Sequence, residues 1–512
     1  MSYPKRIFPI NPKRGFISDT PAHEAGPNFY SLANNVHFRD GFAERILGSR
    51  IAYSAAMATA NPAQLLHALN AEVSDTNYWL LFEADGTAWA IEGTNASQID
   101  NSLLQSTTQP FEHSSALLNG LPVYSNGSDE PVYWAGGNLV TLPDWTATET
   151  CQFISVFKFH IFAMNISGPA GTFPNLVKWS SAAEPGTVPN SWSAAADNDA
   201  GDVELADSPG AVLCAYPLRD TLMFYKRSSM YTAQFVGGNN VFSFRKVQSA
   251  SGALTPRSVC DVNGQHFVVS DGDILLTDGT NRRSVGESRV KDWLFNQLDQ
   301  DNYRNLFCTY NRGRDEVLVG FPTAGNQFCN LGLVYDVNQD SFGVRELASL
   351  VAAPVGFVND AVESNTWADR ASDTWAGAVD PWGSSTIAAA RDSIVHVDAT
   401  TLRQQDTGDA VAVGASLGKH SMHFGEPERI KYIRKVHVRA RQDFGTLLVR
   451  VGGQMTPTGP IAWSDERAVT APEQVVNVQA IGRYISVEVR SNSTEVWKVT
   501  GLDLEGEMRG YY

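Results

Sequence analysis

The residues of this sequence most able to do chemistry are a carboxylate cluster, a histidine pair and two groups of cations. Asp197-Asn-Asp199-Ala-Gly201-Asp202 gathers oxygens of the kind calcium takes, but it lacks the Asp-x-Asp-x-Asp-Gly order and the closing glutamate of a calcium loop. His420 and His423 form the one pair at a spacing of three, within Lys419-His-Ser-Met-His-Phe424, a stretch that reads as a loop or edge strand. Neither Gly-x-Ser-x-Gly, a P-loop, His-Glu-x-x-His nor a dinucleotide fingerprint occurs in its proper setting. Catalytic, cofactor-binding and metal residues are therefore read as none, and no cofactor is expected. Cys151, Cys214, Cys260, Cys308 and Cys329 are odd in number and far apart, without Cys-x-x-Cys or zinc spacing, and read as buried small apolar residues in a reducing compartment.

The cations fall at the two ends of the chain. Lys5, Arg6, Lys13 and Arg14 lie among Pro4, Pro9, Pro12 and Pro21, which fix φ and remove donors, so this arm should run extended along something else. It is a candidate contact with an acidic partner subunit. Near the other end, Lys435-Val-His-Val-Arg-Ala-Arg441 alternates with period two, placing Lys435, His437, Arg439 and Arg441 on one strand face and Val436, Val438 and Ala440 on the other. That face is a candidate contact for DNA or an acidic ring. Residues 1–50 carry a net +3 and residues 413–512 a net +2, so the middle holds −21 of an overall −16. A middle of that sign repels phosphates unless its cations are gathered on one face.

The elements that position these groups are strands. Three units of one construction run from Ala211 to Leu347: Thr221–Tyr225 with Ser229–Phe235, His266–Ser270 with Ile274–Thr277, and Glu316–Phe321 with Gly332–Asp336. Three more precede them, built on Tyr78–Phe82, Pro122–Tyr124 and His160–Met164, with turns such as Asp85-Gly86 and Gly136-Gly137-Asn138. Units recurring every 40 to 50 residues, with 42 glycines and 24 prolines, predict radial stacking of small antiparallel sheets. The fold class is all-β: a β-propeller of about six blades over residues 51–412, an extended N-terminal arm with a hairpin leading out of it over 1–50, and a C-terminal β-sandwich-like domain over 413–512. A Trp-rich insertion near 363–383 carries Trp367, Trp375 and Trp382, which would pack against a blade or a neighbouring subunit. The opening Met1-Ser-Tyr-Pro-Lys-Arg6 is unlike a secretory leader, and no apolar run is long enough for a membrane span.

The order of several features resembles the tail nozzle or hub proteins of short-tailed phages, including the packaged-DNA stabilisation proteins. The likeness is spread over most of the chain. It rests on Asn34-Asn35-Val36 with Gly41; Leu176-Val-Lys-Trp179-Ser180 with Pro189-Asn-Ser-Trp192; Arg219-Asp-Thr-Leu-Met-Phe224; Val268-Val-Ser-Asp-Gly272 with Asp278-Gly279; Val290-Lys-Asp-Trp-Leu294; Tyr303; Val334-Tyr-Asp336; and Ile481-Gly-Arg-Tyr-Ile-Ser-Val487 to Gly501. None of these is a strict motif. The resemblance implies a non-enzymatic virion protein, assembled in the host cytoplasm as a homo-hexamer of the tail. Adaptor (head-to-tail connector) proteins, tail fibre or needle proteins, and viral double-stranded DNA passing through the lumen would be its partners. An alternative is a receptor-recognition propeller that binds or cleaves host surface glycan, suggested by the tryptophans. The Asp box of sugar-cleaving propellers is absent, with Ala84-Asp-Gly-Thr-Ala-Trp89 only a loose echo of it. A scaffold propeller of WD type is disfavoured by irregular repeats without recurrent Gly-His and Trp-Asp pairs.

Overall fold

The structure, a computed structural model, describes residues 5–53, 65–73, 76–92, 95–99, 102–104, 109–196, 198–238, 240–249, 251–358, 392–398, 401–407, 414–441, 445–491 and 496–511. The segment with Trp367, Trp375 and Trp382 lies outside the described residues.

Runs of β-branched and aromatic residues form short strands, and tight turns return them. The inner hairpin of four successive sheets turns on a residue at positive φ, namely Asn119, Lys158, Arg219 and Asn263. This is the backbone that a two-residue hairpin needs to match the twist of its strands. Seven four-stranded antiparallel units result. Six follow one another along the chain, over 65–99, 114–141, 150–204, 212–249, 259–284 and 307–350. The seventh joins Val355–Phe357, Asp392–Asp398 and Thr401–Gln405 to Ser49–Tyr53, a strand from ahead of the first blade. Each inner strand packs on the inner strand of the next unit, and Val355–Phe357 packs on Leu65–Val73, so the ring closes. The fold is a seven-bladed propeller, one blade more than the sequence count of about six.

The blades bury their faces against one another. Phe162, Leu222 and Phe224 are fully buried between blades 3 and 4, each contributing about 1.5–3 kcal/mol of hydrophobic stabilisation, while Met223 and Tyr225 on the other face of the strand turn to blade 5, where the Tyr225 hydroxyl meets His266 Nδ1 at 2.6 Å.

Two further sheets make a C-terminal sandwich. One contains Leu32–Asn34, Ala415–Met422, Tyr484–Ser491, Leu447–Gln454 and Ala462–Trp463 in that order. The other is centred on the long last strand, Lys498–Tyr511, which pairs with Arg429–Ala440 on one side and with both Lys5–Ile10 and Phe42–Arg45 on the other. Val436, Val438, Leu502, Leu504, Val449, Val451, Val487 and Val489 fill the space between them with no exposed surface.

The arm runs along its own chain. Its Lys5–Ile10 alternates side chains, burying Phe8 and Ile10 in the sandwich core, and it completes a sheet of its own chain. The following loop is held by Lys419, whose buried ammonium donates to the carbonyls of Ala25, Gly26 and Phe29. Burial pulls that amine down to about 8. Asp19 then caps the short helix Lys291–Gln297, accepting from the backbone N–H groups of Asp292 and Trp293 at 2.9 Å each.

Propeller and sandwich share one sheet. The outer strand of blade 6, Ser341–Leu350, pairs with Val36–Arg39, which turns at Asp40-Gly41 into Phe42–Arg45 and so reaches Lys498–Tyr511. At the crossing, a Cβ on Gly343 would stand 2.3 Å from the Val36 carbonyl oxygen, so only glycine allows the strands this close.

Candidate functional site

Lys5 of the arm and the strand cations Lys435, His437 and Arg439, some 430 residues apart in the sequence, meet on one exposed sheet face. Strand register aligns three rows across four strands: Lys5, Glu507, Tyr432 and Ile481; Ile7, Glu505, Lys435 and Asn477; Pro9, Asp503, His437 and Val475. Side chains directly opposite in a ladder point the same way, so all twelve share a face. The inward residues, Phe8, Leu504, Val436 and Val476, form the core beneath.

The cations are not bare. Glu505 accepts from Lys5 at 3.2 Å and His437 at 3.4 Å, Asp503 faces Arg439 at 3.2 Å, and Glu507 faces Arg434 at 3.1 Å. Lys5, and then His437, hold the Glu505 carboxyl below its ordinary range. Arg439 also donates to Asn11 Oδ1 at 2.7 Å, crossing over Gly501, where a Cβ would meet its guanidinium at 2.3 Å. The acids are recessed and the cations outermost: the side chains of Asp503, Glu505 and Glu507 are 12–23% exposed, against 67% for Lys5 and 48% for Arg434. Ile7, Ile481 and Val475 complete the outer layer at 64%, 50% and 46%. What the face offers is a plane of cations and large apolar groups, with its anions beneath.

The remaining predicted residues sit around it. Arg6 turns to Glu426 at 3.1 Å, Lys13 lines a cleft beside Arg39, Asp40 and Asp336, Arg14 lies over the Phe29 ring, and Arg441 lies over the Phe42 ring. The face therefore takes Lys5 from the arm and Lys435, His437 and Arg439 from the strand, but not Arg6, Lys13, Arg14 or Arg441. Sequence reading missed Ile7, Asp503, Glu505, Glu507, Val475 and Ile481. Their signal is present, since Leu502-Asp-Leu-Glu-Gly-Glu-Met508 alternates as a strand with acids on one side.

Other candidates resolve into structure. Of the carboxylate cluster, Asp197 lies outside the described residues, while Asn198 and Asp199 serve a turn, where the Asp199 carbonyl accepts from Trp179 Nε1 at 2.8 Å. Among the described residues no group of three His, Cys, Asp or Glu is placed to hold a metal ion. The five cysteines are unpaired thiols, and burial pushes Cys151 and Cys329 up to about 12, far from a reactive thiolate. Inside the propeller an axial cavity of about 500 Å³ is lined by Phe153, Tyr216, Arg257, Asp261, Phe307 and Tyr310 among others.

His420 and His423 do not converge. His423 accepts from Gly425 N–H, while His420 meets Glu488 at 3.0 Å beside Arg450 at 2.6 Å and Arg490 at 2.9 Å. Burial opposes ionisation of Glu488, but donors from His420 and Arg450 outweigh it and bring the carboxyl down to about 2 from an ordinary 4.5. Its ionised form is favoured in the fold, so this contribution to stability is complete above pH ~4.5 and is lost as pH falls toward ~2. Glu488→Gln is expected to flatten the acid side of the melting-temperature profile in that window. An unchanged profile would exclude the carboxylate as its source.

No protein-family profile matches the chain, and no curated protein matches it. Among solved structures it is similar to the β-propeller domain of Myceliophteria thermophila Cps50 (Swd1), at 8% identity over 70% of this chain and 99% of that one, with a TM-score of 0.40. It is also similar to YCF48 bound to D1 peptide (10% identity, 71% and 100% covered, TM-score 0.36) and to BBS1N in complex with ARL6DN (9%, 69% and 92%, 0.39). No described helix is long and apolar enough to cross a membrane.

Proposed function

We propose that this chain is a non-enzymatic structural subunit of a virion tail, the nozzle or hub of a short-tailed phage. It assembles as a homo-hexamer below the adaptor proteins, meets fibre or needle proteins distally, and surrounds a lumen through which DNA leaves. The observation that carries the reading is the convergence of arm and last domain on one exposed face of cations and large apolar side chains. A surface of that make-up is built to be covered by another protein. The rigid joining of sandwich to propeller through a shared sheet supports the same reading, because a wall subunit must hold its shape under load. On this reading the lumen runs between copies. Its lining comes from a chain whose middle is strongly acidic, which lowers adhesion of phosphates and favours sliding.

The test is the mass of the assembled particle with tail partners present. The expected result is a species six times the 55.8 kDa chain, seen as hexameric density in isolated tails. A chain that stays monomeric with adaptor and distal proteins present overturns the reading. Release of reducing ends from host surface polysaccharide would replace it with the glycan-cleaving alternative.

A further inference from the structure

We propose that copies of this chain join head to tail, the cation-and-apolar face of one sandwich seating on an acidic rim of blade 3 in the next copy. The inference rests on the ring-forming reading above and names the surfaces that make the ring.

Three observations carry it. The first is the layering of the sheet face, with Lys5, Arg434 and Arg439 outermost and the acids recessed, so that it presents positive charge to whatever covers it. The second is the rim itself. Gly201–Glu204 is the outer strand of blade 3, paired on one side only, and Asp199, Asp202, Glu204 and Asp207 are exposed along and beside it. Among the described residues none of the four is in a salt bridge: Lys178, the cation opposite Asp202 in the ladder, is taken by Glu149, and Glu204 and Asp207 act on the buried Lys226 only at longer range.

The third is position. The sandwich grows from blade 6, and blade 3 stands three places away in a ring of seven, as far across the disc as any blade can be. Opposite charge at opposite ends of one rigid body suits a heterologous contact, which generates a closed ring when its rotation closes. A two-fold contact of the sheet face with itself would instead set one outer layer of cations against another, an arrangement that like charge disfavours.

The test uses two full-length variants. K5E/R434E makes the face negative, leaving a negative rim. D199K/D202K/E204K makes the rim positive, leaving a positive face. Each alone is expected to lose the ring at an ionic strength where the natural chain assembles. A one-to-one mixture is expected to regain it, because each variant then meets only its opposite, and a ring of six accepts strict alternation. Native mass is the readout, with melting temperature as the check that each variant folds. If K5E/R434E does not fold, D199K/D202K/E204K alone decides, by losing the ring or keeping it. Variants that assemble as well as the natural chain, or a mixture of folded monomers, overturn the pairing while leaving the ring-forming reading intact. A natural chain that never assembles overturns both.

Discussion

Asp406→Asn is expected to lower the unfolding free energy by about 3–5 kcal/mol, the cost of leaving a buried cation without its partner. Asp406 and Arg345 meet at 2.9 Å with side chains only 7% and 10% exposed. Burial opposes the Asp406 charge, but Arg345, Arg314 and His37 outweigh it and hold the carboxyl below its ordinary range. Asp406 has φ of +63°, a conformation asparagine tolerates, so the substitution removes the charge with little backbone strain. The loss falls where blade 6, blade 7 and the hairpin Val36–Arg45 meet. His37 is buried there against Glu316 at 2.9 Å; burial alone would depress its pKa, and Glu316 raises it. Urea denaturation measures the effect. The control is Asp271→Asn, which breaks an Arg227 pair more than half exposed on both sides and is expected to cost under about 1 kcal/mol. Equal midpoints for the two variants would refute the assignment.

Lys226→Met is expected to cost about 3 kcal/mol, because a buried acceptor left without its donor costs ~1–3 kcal/mol and three are stranded at once. The Lys226 ammonium has no exposed surface and donates to Asn175 Oδ1 at 2.8 Å, the Leu205 carbonyl at 2.6 Å and the Ser208 carbonyl at 2.9 Å. Burial, and the neighbouring Lys246 after it, lower its pKa, so part of the loss is offset when the charge is removed. Methionine keeps the length and apolar stem of lysine, which leaves the missing hydrogen bonds as the main change. The amine ties blade 4 to the end of blade 3 and to the loop between them. Hydrogen exchange in Val203–Tyr231 is expected to quicken in the variant, and unchanged protection there would refute the role.

The sequence shows the blades clearly where strand and turn lie side by side. Six units are readable because Asp85-Gly86, Gly136-Gly137-Asn138 and Asp271-Gly272 mark turns between apolar runs. The seventh is not, for a physical reason. It takes one strand from residues 49–53 and interrupts the rest between Phe357 and Asp392, so no local repeat announces it. The arm is legible only in part. Proline spacing correctly signals an extended chain, but an extended chain with Phe8 and Ile10 on one side is also an edge strand, and only the tertiary fold supplies its partner. The basic face of residues 435–441 was legible from alternation alone. That Asp503, Glu505 and Glu507 lie under its cations was not, since pairing between strands some 70 residues apart in sequence is set by topology.

The strand that closes the ring also sets a timetable for the nascent chain. Ser49–Tyr53 leaves the ribosome early, yet its neighbour Thr401–Gln405 follows some 350 residues later. At a synthesis rate of ~5–20 residues per second that interval is on the order of 20–70 s. Throughout it, six blades can form while the disc stays open and one strand waits with unmet backbone donors and acceptors. Crowded translation at that stage invites two open discs to trade strands, so slow, dilute expression should favour yield of properly closed chains.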